Sequence, residues 1–311
     1  MSVVEKAGSN ILKTSFGKKN KKKKKDRDQV TEQVTNSDIA NVGPEKLELD
    51  FEELAKNGFY NNNDRSTQLA LELRAVKRRL LRRIGYLRAS GERQAYRTPG
   101  KQRNLILVTS TRAGEGKTFS AINIALSLAL EDNIETLLID ADLARPKVRD
   151  RLGLPHLPGL SDRLSNPRLN VNDMGWRLNN GPLSILPEGA RSERPTDLFG
   201  SPEAQRLWTE VAMEKSDRLI ILDAPPVLAA TDAVVLAKYV DEIVFVVEAN
   251  STPEPAVAAA IDELMEINPN ISVMLNRCQI GAGGAHYGSY EYYERADSED
   301  SLATAKQSDK G

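Results

Sequence analysis

The sequence predicts an α/β fold in which a mostly parallel sheet is covered by helices on both faces. Five short runs are apolar throughout, as in strands that are buried on both sides. Segments with helical periodicity, such as residues 255–267, separate them, which is typical of strands joined by crossover helices. The predicted strands are residues 105–108, 136–139, 219–222, 243–247 and 273–275.

Length and charge suggest one substantial domain with tails. The chain has 311 residues and a net charge of −1. Residues 1–30 hold ten Lys and Arg against three Asp and Glu, a net of about +7, so an anionic partner should meet the N-terminus. A single cysteine, Cys278, excludes an internal disulfide framework, and no apolar run is long enough to cross a bilayer. We therefore expect a cytoplasmic protein.

The N-terminal region, residues 1–60, is rich in Lys, Asn, Asp and Glu and poor in aromatic residues. Such a composition buries too little apolar surface to offset the entropy of ordering, so the region is expected to be largely disordered. Residues 18–25 form a lysine run that follows a few apolar residues. This run suits either an anionic lipid surface or plain solvent.

An amphipathic helix is predicted over residues 64–89, with Asp64 and Ser66 as candidate caps. Apolar residues recur at spacings of three and four, and arginines and a lysine occupy the other faces. The apolar stripe could pack on its own domain, dock on a neighbouring subunit, or contact nucleic acid or membrane. The stripe is made of Leu69, Leu73, Val76, Leu80, Ile84 and Leu87.

Residues 110–118, STRAGEGKT, lie between the first predicted strand and the next helix. The backbone N–H groups of such a loop bind phosphate oxygens, with Lys117 adding a positive charge and Thr118 a hydroxyl for Mg²⁺. Gly114 and Gly116 permit the tight backbone, although threonine stands where the pattern usually begins with glycine. The stretch predicts a P-loop NTPase-like fold and nucleotide binding.

Acidic residues end two of the other predicted strands. Asp140 and Asp142 follow one apolar run, and Asp223 follows another. The carboxyl ends of parallel strands meet at one edge of a sheet, so these carboxylates should face the P-loop. There they could bind Mg²⁺ directly or through water, and one could accept a proton.

The C-terminal region, residues 286–311, is acidic and holds half of the eight tyrosines within residues 287–293. Gly, Ser, Glu and Asp surround these tyrosines, so the segment has little reason to pack and is expected to be flexible. A tyrosine hydroxyl in a flexible tail could reach an active site as a phosphoryl acceptor, or the tail could have no such role. The tyrosines are Tyr287, Tyr290, Tyr292 and Tyr293.

Four motifs together resemble the bacterial tyrosine kinases that regulate exopolysaccharide synthesis, in particular the subgroup associated with exosortase and chain-length-determinant proteins. They are STRAGEGKT, LLIDADLARP at 137–146, LIILDAPP at 219–226 and YGSYEYY at 287–293. The first three also occur in partition-type ATPases. The resemblance implies a kinase domain over residues 61–285 and an ATP- and Mg²⁺-dependent protein-tyrosine autokinase.

Site residues follow from the same resemblance. It makes Asp140 the candidate that activates the attacking tyrosine hydroxyl, and the tail tyrosines the phosphoacceptors. The implied catalytic residues are Lys117, Asp140, Asp142 and Asp223, and the implied metal residues are Thr118, Asp140 and Asp223. The implied nucleotide-binding residues are Arg112, Ala113, Gly114, Glu115, Gly116, Lys117, Thr118, Phe119, Asn276 and Arg277.

The expected partners are further copies of the chain in a ring, and a membrane chain-length-determinant or polysaccharide co-polymerase protein that activates the kinase. The resemblance implies phosphorylation in trans and recruitment to the inner face of the membrane, with no nucleic-acid partner. In the family's assembly helix, which often reads Glu-x-x-Arg-x-x-Arg, this chain has Leu71, Arg74 and Lys77. Two alternatives remain open: a partition or positioning ATPase that acts as a nucleotide-gated dimer switch, and a nucleotide-sensing scaffold.

Overall fold

The computed structural model describes residues 44–61, 66–87, 104–178, 181–192, 194–215 and 217–278. The chain divides into two compact units, Met1–Asn276 and Arg277–Gly311, and every described helix and strand belongs to the first. In the described residues, no helix has the length and apolar character needed to cross a membrane. The lysine run and the four tail tyrosines lie outside the described residues.

One sheet of eight strands organises the first unit, in the order β1-β4-β5-β3-β6-β2-β7-β8. All neighbouring strands are parallel except β4 and β5, which are antiparallel. The predicted mostly parallel sheet is thereby confirmed. The strands are β1 Glu45–Leu47, β2 Leu105–Ser110, β3 Glu135–Asp140, β4 Trp176–Leu178, β5 Leu183–Leu186, β6 Arg218–Asp223, β7 Glu242–Glu248 and β8 Ile271–Asn276.

Helices cover both faces of the sheet, as predicted. Their bounds are α1 Phe51–Lys56, α2 Gln68–Arg83, α3 Lys117–Leu128, α4 Val148–Leu152, α5 Leu160–Ser165, α6 Pro195–Phe199, α7 Pro202–Glu214, α8 Asp232–Ala237 and α9 Glu254–Met265. A short 3₁₀ turn, Val171–Asp173, precedes β4.

Two hydrophobic cores lie on opposite faces of the sheet. Leu105 and Leu107 of β2 point into the core that α5 to α9 cover, whereas Ile106 and Val108 point into the core under α1 to α3. Successive strand residues face opposite sides, so a strand with a core on each side must be apolar throughout. This explains why residues 105–108 of β2 form an unbroken apolar run.

The stretch before α2 was expected to be disordered, and for its described residues that expectation is wrong. Strand β1 pairs with β4, and Asp50 caps α1 by accepting hydrogen bonds from two backbone N–H groups. Leu54 and Phe59 are buried in the core under α1 to α3. The apolar residues here are few, but Leu47, Leu54, Phe59 and Tyr60 are buried, which composition does not reveal.

The predicted amphipathic helix is present but shorter than expected. Helix α2 begins after Thr67, whose hydroxyl oxygen accepts the N–H of Ala70 at 3.2 Å, so neither predicted cap residue is its N-cap. Its apolar stripe, including Leu73 and Leu80, is buried in the chain's own core. Of the alternatives for this stripe, packing within the chain is therefore correct.

Candidate nucleotide-binding site

The predicted P-loop connects β2 to α3 at the carboxyl edge of the sheet. Gly114 and Gly116 have φ of 98° and 99°, in the left-handed region that L side chains rarely adopt. Helix α3 begins at Lys117, and no described side chain caps its N-terminus. The N–H groups of its first turn are therefore available to an anion, whose charge the helix dipole favours.

Two acidic side chains meet beside this loop because of strand register. Asp140 ends β3 and Asp223 ends β6, and the two residues are direct partners in the parallel pairing of these strands. Both are fully buried. The predicted convergence of the strand ends on the P-loop is therefore present.

Lys117 connects the loop to these carboxylates. Its Nζ lies 2.8 Å from Asp142 Oδ2 and 3.5 Å from Asp223 Oδ1, and all three side chains are buried. Burial would lower the pKa of Lys117, but the negative charges of Asp223 and Asp142 outweigh it and raise that pKa. The lysine is thus held in its charged form where a phosphate would bind.

Backbone N–H groups hold Asp140 in place. Its Oδ2 accepts the N–H groups of Lys147 and Val148, both at 2.9 Å, and its Oδ1 accepts the N–H of Asp142 at 3.2 Å. Burial and the nearby charge of Asp223 nevertheless raise the pKa of Asp140 well above its ordinary value. A rigidly oriented carboxyl group with a raised pKa is suited to accepting a proton.

The Asp223 side chain is the least satisfied polar group at the site. Among the described residues, neither of its oxygens accepts a hydrogen bond of good geometry; Lys117 and the Thr118 hydroxyl are the groups that partly offset its charge. Burial raises the pKa of Asp223. Such a carboxylate beside a hydroxyl fits Mg²⁺, which usually takes one or two protein ligands together with substrate phosphates.

Within the described part of the chain, no three His, Cys, Asp or Glu side chains come together as a metal site of their own. A metal at Thr118 and Asp223 would complete its shell with water and with oxygens from a bound phosphate, as Mg²⁺ usually does.

The other predicted nucleotide-binding residues are placed differently. The Arg112 N–H donates to Glu115 Oε2 at 2.9 Å, and its side chain is exposed. The Phe119 ring packs against Phe59 with centroids 5.2 Å apart, which leaves its backbone as the part that could face a phosphate. Asn276 donates from Nδ2 to the carbonyl oxygen of Glu115 at 2.8 Å, so the NH₂ group of its amide is hydrogen-bonded to the loop.

Arg277, described by itself, has a φ of 57°. The four tail tyrosines cannot be placed relative to the site, because they lie outside the described residues.

Sequence reasoning missed two polar residues near the site. Asp232, at the start of α8, is buried and accepts a hydrogen bond from the Thr196 hydroxyl; burial and, less strongly, the charge of Asp142 raise its pKa. Thr252 precedes α9 and donates its hydroxyl hydrogen to Glu115 Oε1 at 2.6 Å. An acidic residue in the first turn of a helix usually signals only the helix start, and a lone threonine carries no signal.

Comparison with known proteins finds bacterial tyrosine-protein kinases among the relatives. The tyrosine-protein kinase YwqD of Bacillus subtilis (strain 168) is 28% identical over 197 residues, which are 63% of this chain and 80% of the relative. CpsD of Streptococcus agalactiae, also a tyrosine-protein kinase, is 28% identical over 200 residues, 64% of this chain and 85% of the relative. No family model matches the chain.

Solved structures agree with these relatives. The kinase domain of VpsO is 34% identical, with a TM-score of 0.53, and the match covers 57% of this chain and 86% of that domain. The kinase domain of the Escherichia coli tyrosine kinase ETK has a TM-score of 0.56 at 23% identity, covering 68% of this chain and 78% of that one. This second match supports the fold alone.

Proposed function

Because the chain belongs to the family of bacterial tyrosine-protein kinases, as its sequence motifs predicted, we propose that it is an ATP-dependent autokinase that phosphorylates its own tail tyrosines. The observation that carries the proposal is the position of Lys117, at the base of a P-loop and within 3.5 Å of two carboxylates, Asp142 just after β3 and Asp223 at the end of β6. A phosphate at this loop would meet one buried positive charge and several backbone N–H groups.

Nucleotide binding is assigned to the loop and the start of α3. The N–H groups from Ala113 to Phe119 and the Lys117 ammonium hold the phosphates. Thr118 and Asp223 are the proposed Mg²⁺ ligands, with Asp140 acting on the metal from further away. When bound, Mg²⁺ neutralises charge on the transferring phosphoryl group.

The transfer step uses Asp140 as the proton acceptor. The tyrosine oxygen forms a bond to the γ-phosphorus of ATP while the bond from that phosphorus to the β,γ-bridging oxygen breaks. The phenolic proton passes to the Asp140 carboxylate, and ADP leaves. Asp140 is suited to this role by its burial, its fixed orientation and its raised pKa.

The acceptors are Tyr287, Tyr290, Tyr292 and Tyr293, reached in trans from a neighbouring subunit of a homo-oligomer. Their support is the acidic, apolar-poor composition of the tail. Each phosphate adds about −1.5 to −2 charge, so repeated phosphorylation would separate neighbouring tails by repulsion. Lys77 of the predicted assembly helix pairs with Glu131 at 2.6 Å within the chain, which leaves Arg74 as the residue of that motif to test in assembly.

The biological setting is proposed from the resemblance. The kinase would act at the inner face of the membrane, recruited by a chain-length-determinant protein and by the N-terminal lysine run on anionic lipid, and would regulate exopolysaccharide chain length or export. We also extend the kinase domain from residue 61 towards the N-terminus to include β1 and α1, because Leu47, Leu54 and Phe59 are buried in its core.

Mass spectrometry after incubation with ATP and Mg²⁺ tests the activity. We expect phosphotyrosine within residues 287–293 of the wild-type protein and none in Lys117→Met. Lys56→Met is the matched control, because Lys56 is exposed and far less constrained. Absence of tail phosphotyrosine in a wild-type protein that binds ATP would exclude the proposed autokinase.

A further inference from the structure

The Glu115 side chain is buried inside the phosphate loop, only 3% exposed, although the loop is proposed to bind an anion. Both of its carboxylate oxygens are used. Oε2 accepts the Arg112 N–H at 2.9 Å, across the loop itself, and Oε1 accepts the Thr252 hydroxyl at 2.6 Å. A buried carboxylate is costly unless it is hydrogen-bonded, so these two bonds are needed to keep Glu115 where it is.

A second contact, made by Asn276, holds the same loop. Asn276, the last residue of β8, donates from Nδ2 to the Glu115 carbonyl oxygen at 2.8 Å. A Cβ on Gly116 would lie 2.0 Å from that Nδ2, so the amide packs directly on the loop backbone. The Asn276 amide therefore fixes the distance between the loop backbone and the carboxyl end of β8.

Thr252 and Asn276 lie on two segments that are hydrogen-bonded to each other. The Ala249 N–H donates to the Asn276 carbonyl oxygen at 2.9 Å, which ties the end of β7 to the end of β8. Asn250 adopts a φ of 58°, a conformation that asparagine tolerates well, and the turn it forms leads to Thr252. The two side chains that hold the loop are thus held themselves.

We propose that Thr252, acting through Glu115, and Asn276 are positioning residues that keep the P-loop in its phosphate-binding conformation before nucleotide arrives. A loop with two glycines has many conformations, and restricting them in advance lowers the entropic cost of binding. The Glu115 carboxylate also occupies the Arg112 N–H, so the N–H groups that follow it are the ones left for phosphate. The inference rests on the proposed nucleotide site and adds residues that do not touch the reacting atoms.

Substitution at Thr252 separates this role from a merely structural one. Thr252→Val keeps the shape of the side chain but leaves a buried carboxylate oxygen without its donor, and Thr252→Ser keeps the hydroxyl. We expect Thr252→Val to raise the Kd for a fluorescent ATP analogue and the KM for ATP by about three- to tenfold. A hydrogen bond to a charged group is worth about tenfold, and its loss weakens binding only to the extent that the loop leaves its phosphate-binding conformation. kcat should change by less than about twofold, and Thr252→Ser should restore wild-type affinity.

Thr209→Val is the matched control. The Thr209 hydroxyl donates to the backbone carbonyl of Gln205 on the exposed face of helix α7, so its loss should leave the Kd unchanged. Asn276→Ala provides a second variant should Thr252→Val fail to fold, and it should raise the Kd in the same direction. Thermal unfolding of each nucleotide-free variant reports folding independently.

The outcomes distinguish the inference from the proposed function. A folded Thr252→Val protein and a folded Asn276→Ala protein that both bind the analogue like wild type would overturn the inference alone, as would a fall in kcat with an unchanged KM. A wild-type protein that does not bind the analogue, or Lys117→Met binding it equally well, would overturn the proposed nucleotide site and the inference with it.

Discussion

The Lys117 ammonium lies 2.8 Å from Asp142 Oδ2, although the two residues belong to different strand-to-helix connections. Asp223 of a third strand lies 3.5 Å from the same nitrogen. The positive charge of the P-loop is thus compensated by the protein's own carboxylates when no nucleotide is bound. A phosphate must therefore compete with Asp142 and Asp223 for Lys117.

Replacing Lys117 should weaken nucleotide binding sharply. We expect Lys117→Met to raise the Kd for a fluorescent ATP analogue by tenfold or more, because a charge-assisted contact to phosphate is lost. The variant also leaves Asp142 and Asp223 buried without their counter-charge, so its nucleotide-free form should unfold at a lower temperature than wild type. A variant with wild-type affinity and stability would mean that Lys117 is not part of the site.

The stability of the nucleotide-free protein should depend on pH through Asp223. Burial raises its pKa, so the folded protein keeps a proton that the unfolded chain releases near the ordinary value of 3.8. The stability from that proton is present below the unfolded pKa and is lost as the pH rises through the folded pKa.

Asp223→Asn removes this titration. Its free energy of unfolding in EDTA should fall less than that of wild type when the pH is raised from about 4, near the unfolded pKa, to about 7, while phosphotransfer is lost. Urea denaturation at the two pH values measures the difference, with exposed Asp150→Asn as the control. Identical pH dependence in Asp223→Asn and wild type would show that Asp223 is ionised throughout this range.

Phe59 should be essential for stability, although it lies in a stretch that composition marks as disordered. Its ring is 4% exposed and packs against Phe119, the residue after Thr118. We expect Phe59→Ala to cost about 3 to 5 kcal/mol in urea denaturation, the usual range for a buried phenylalanine. Phe51→Ala should cost less, because Phe51 is only partly buried. If both variants lost an equal, small amount of free energy of unfolding, the segment that holds Phe51 and Phe59 would not unfold together with the rest of the domain.

A truncation after Gly284 separates the kinase from a partition-type ATPase. The truncated protein lacks all four tail tyrosines, so it should acquire no tail phosphotyrosine. It should still phosphorylate the tail of full-length Lys117→Met protein when the two are mixed with ATP and Mg²⁺, since the proposed transfer joins a donor site and an acceptor on different subunits. Mass spectrometry of the Lys117→Met chain measures this transfer.

A different result would favour the partition-type alternative. In that case the truncated protein would keep ATP hydrolysis and its association with DNA or lipid unchanged. No phosphotyrosine would form on the Lys117→Met chain in the mixture.

The five predicted strands are all present, and four of them are buried on both faces, which gives a continuous apolar run that is a local pattern. The fifth, β8, lies at the sheet edge with Val273 and Leu275 exposed, so for this strand the expected burial on both sides is wrong. The P-loop was predictable for a similar reason: its glycines, Lys117 and Thr118 are contiguous in the chain. Strands β1, β4 and β5 were missed, since three or four residues are too few to show a pattern. Helix α1 was missed because Leu54, its buried residue, lies in a short segment rich in charged residues.

Local patterns in the chain were enough to identify strands, loop and acidic strand ends, because each depends on neighbouring residues. Only the folded sheet decided that Asp140 lies opposite Asp223 and that Thr252 reaches Glu115 across 137 positions of sequence. Strand order and register set these distances, and both order and register depend on how segments that are distant in sequence pack together. The individual groups at the site can therefore be recognised from neighbouring residues in the sequence. Which of these groups come into contact is decided by the tertiary structure.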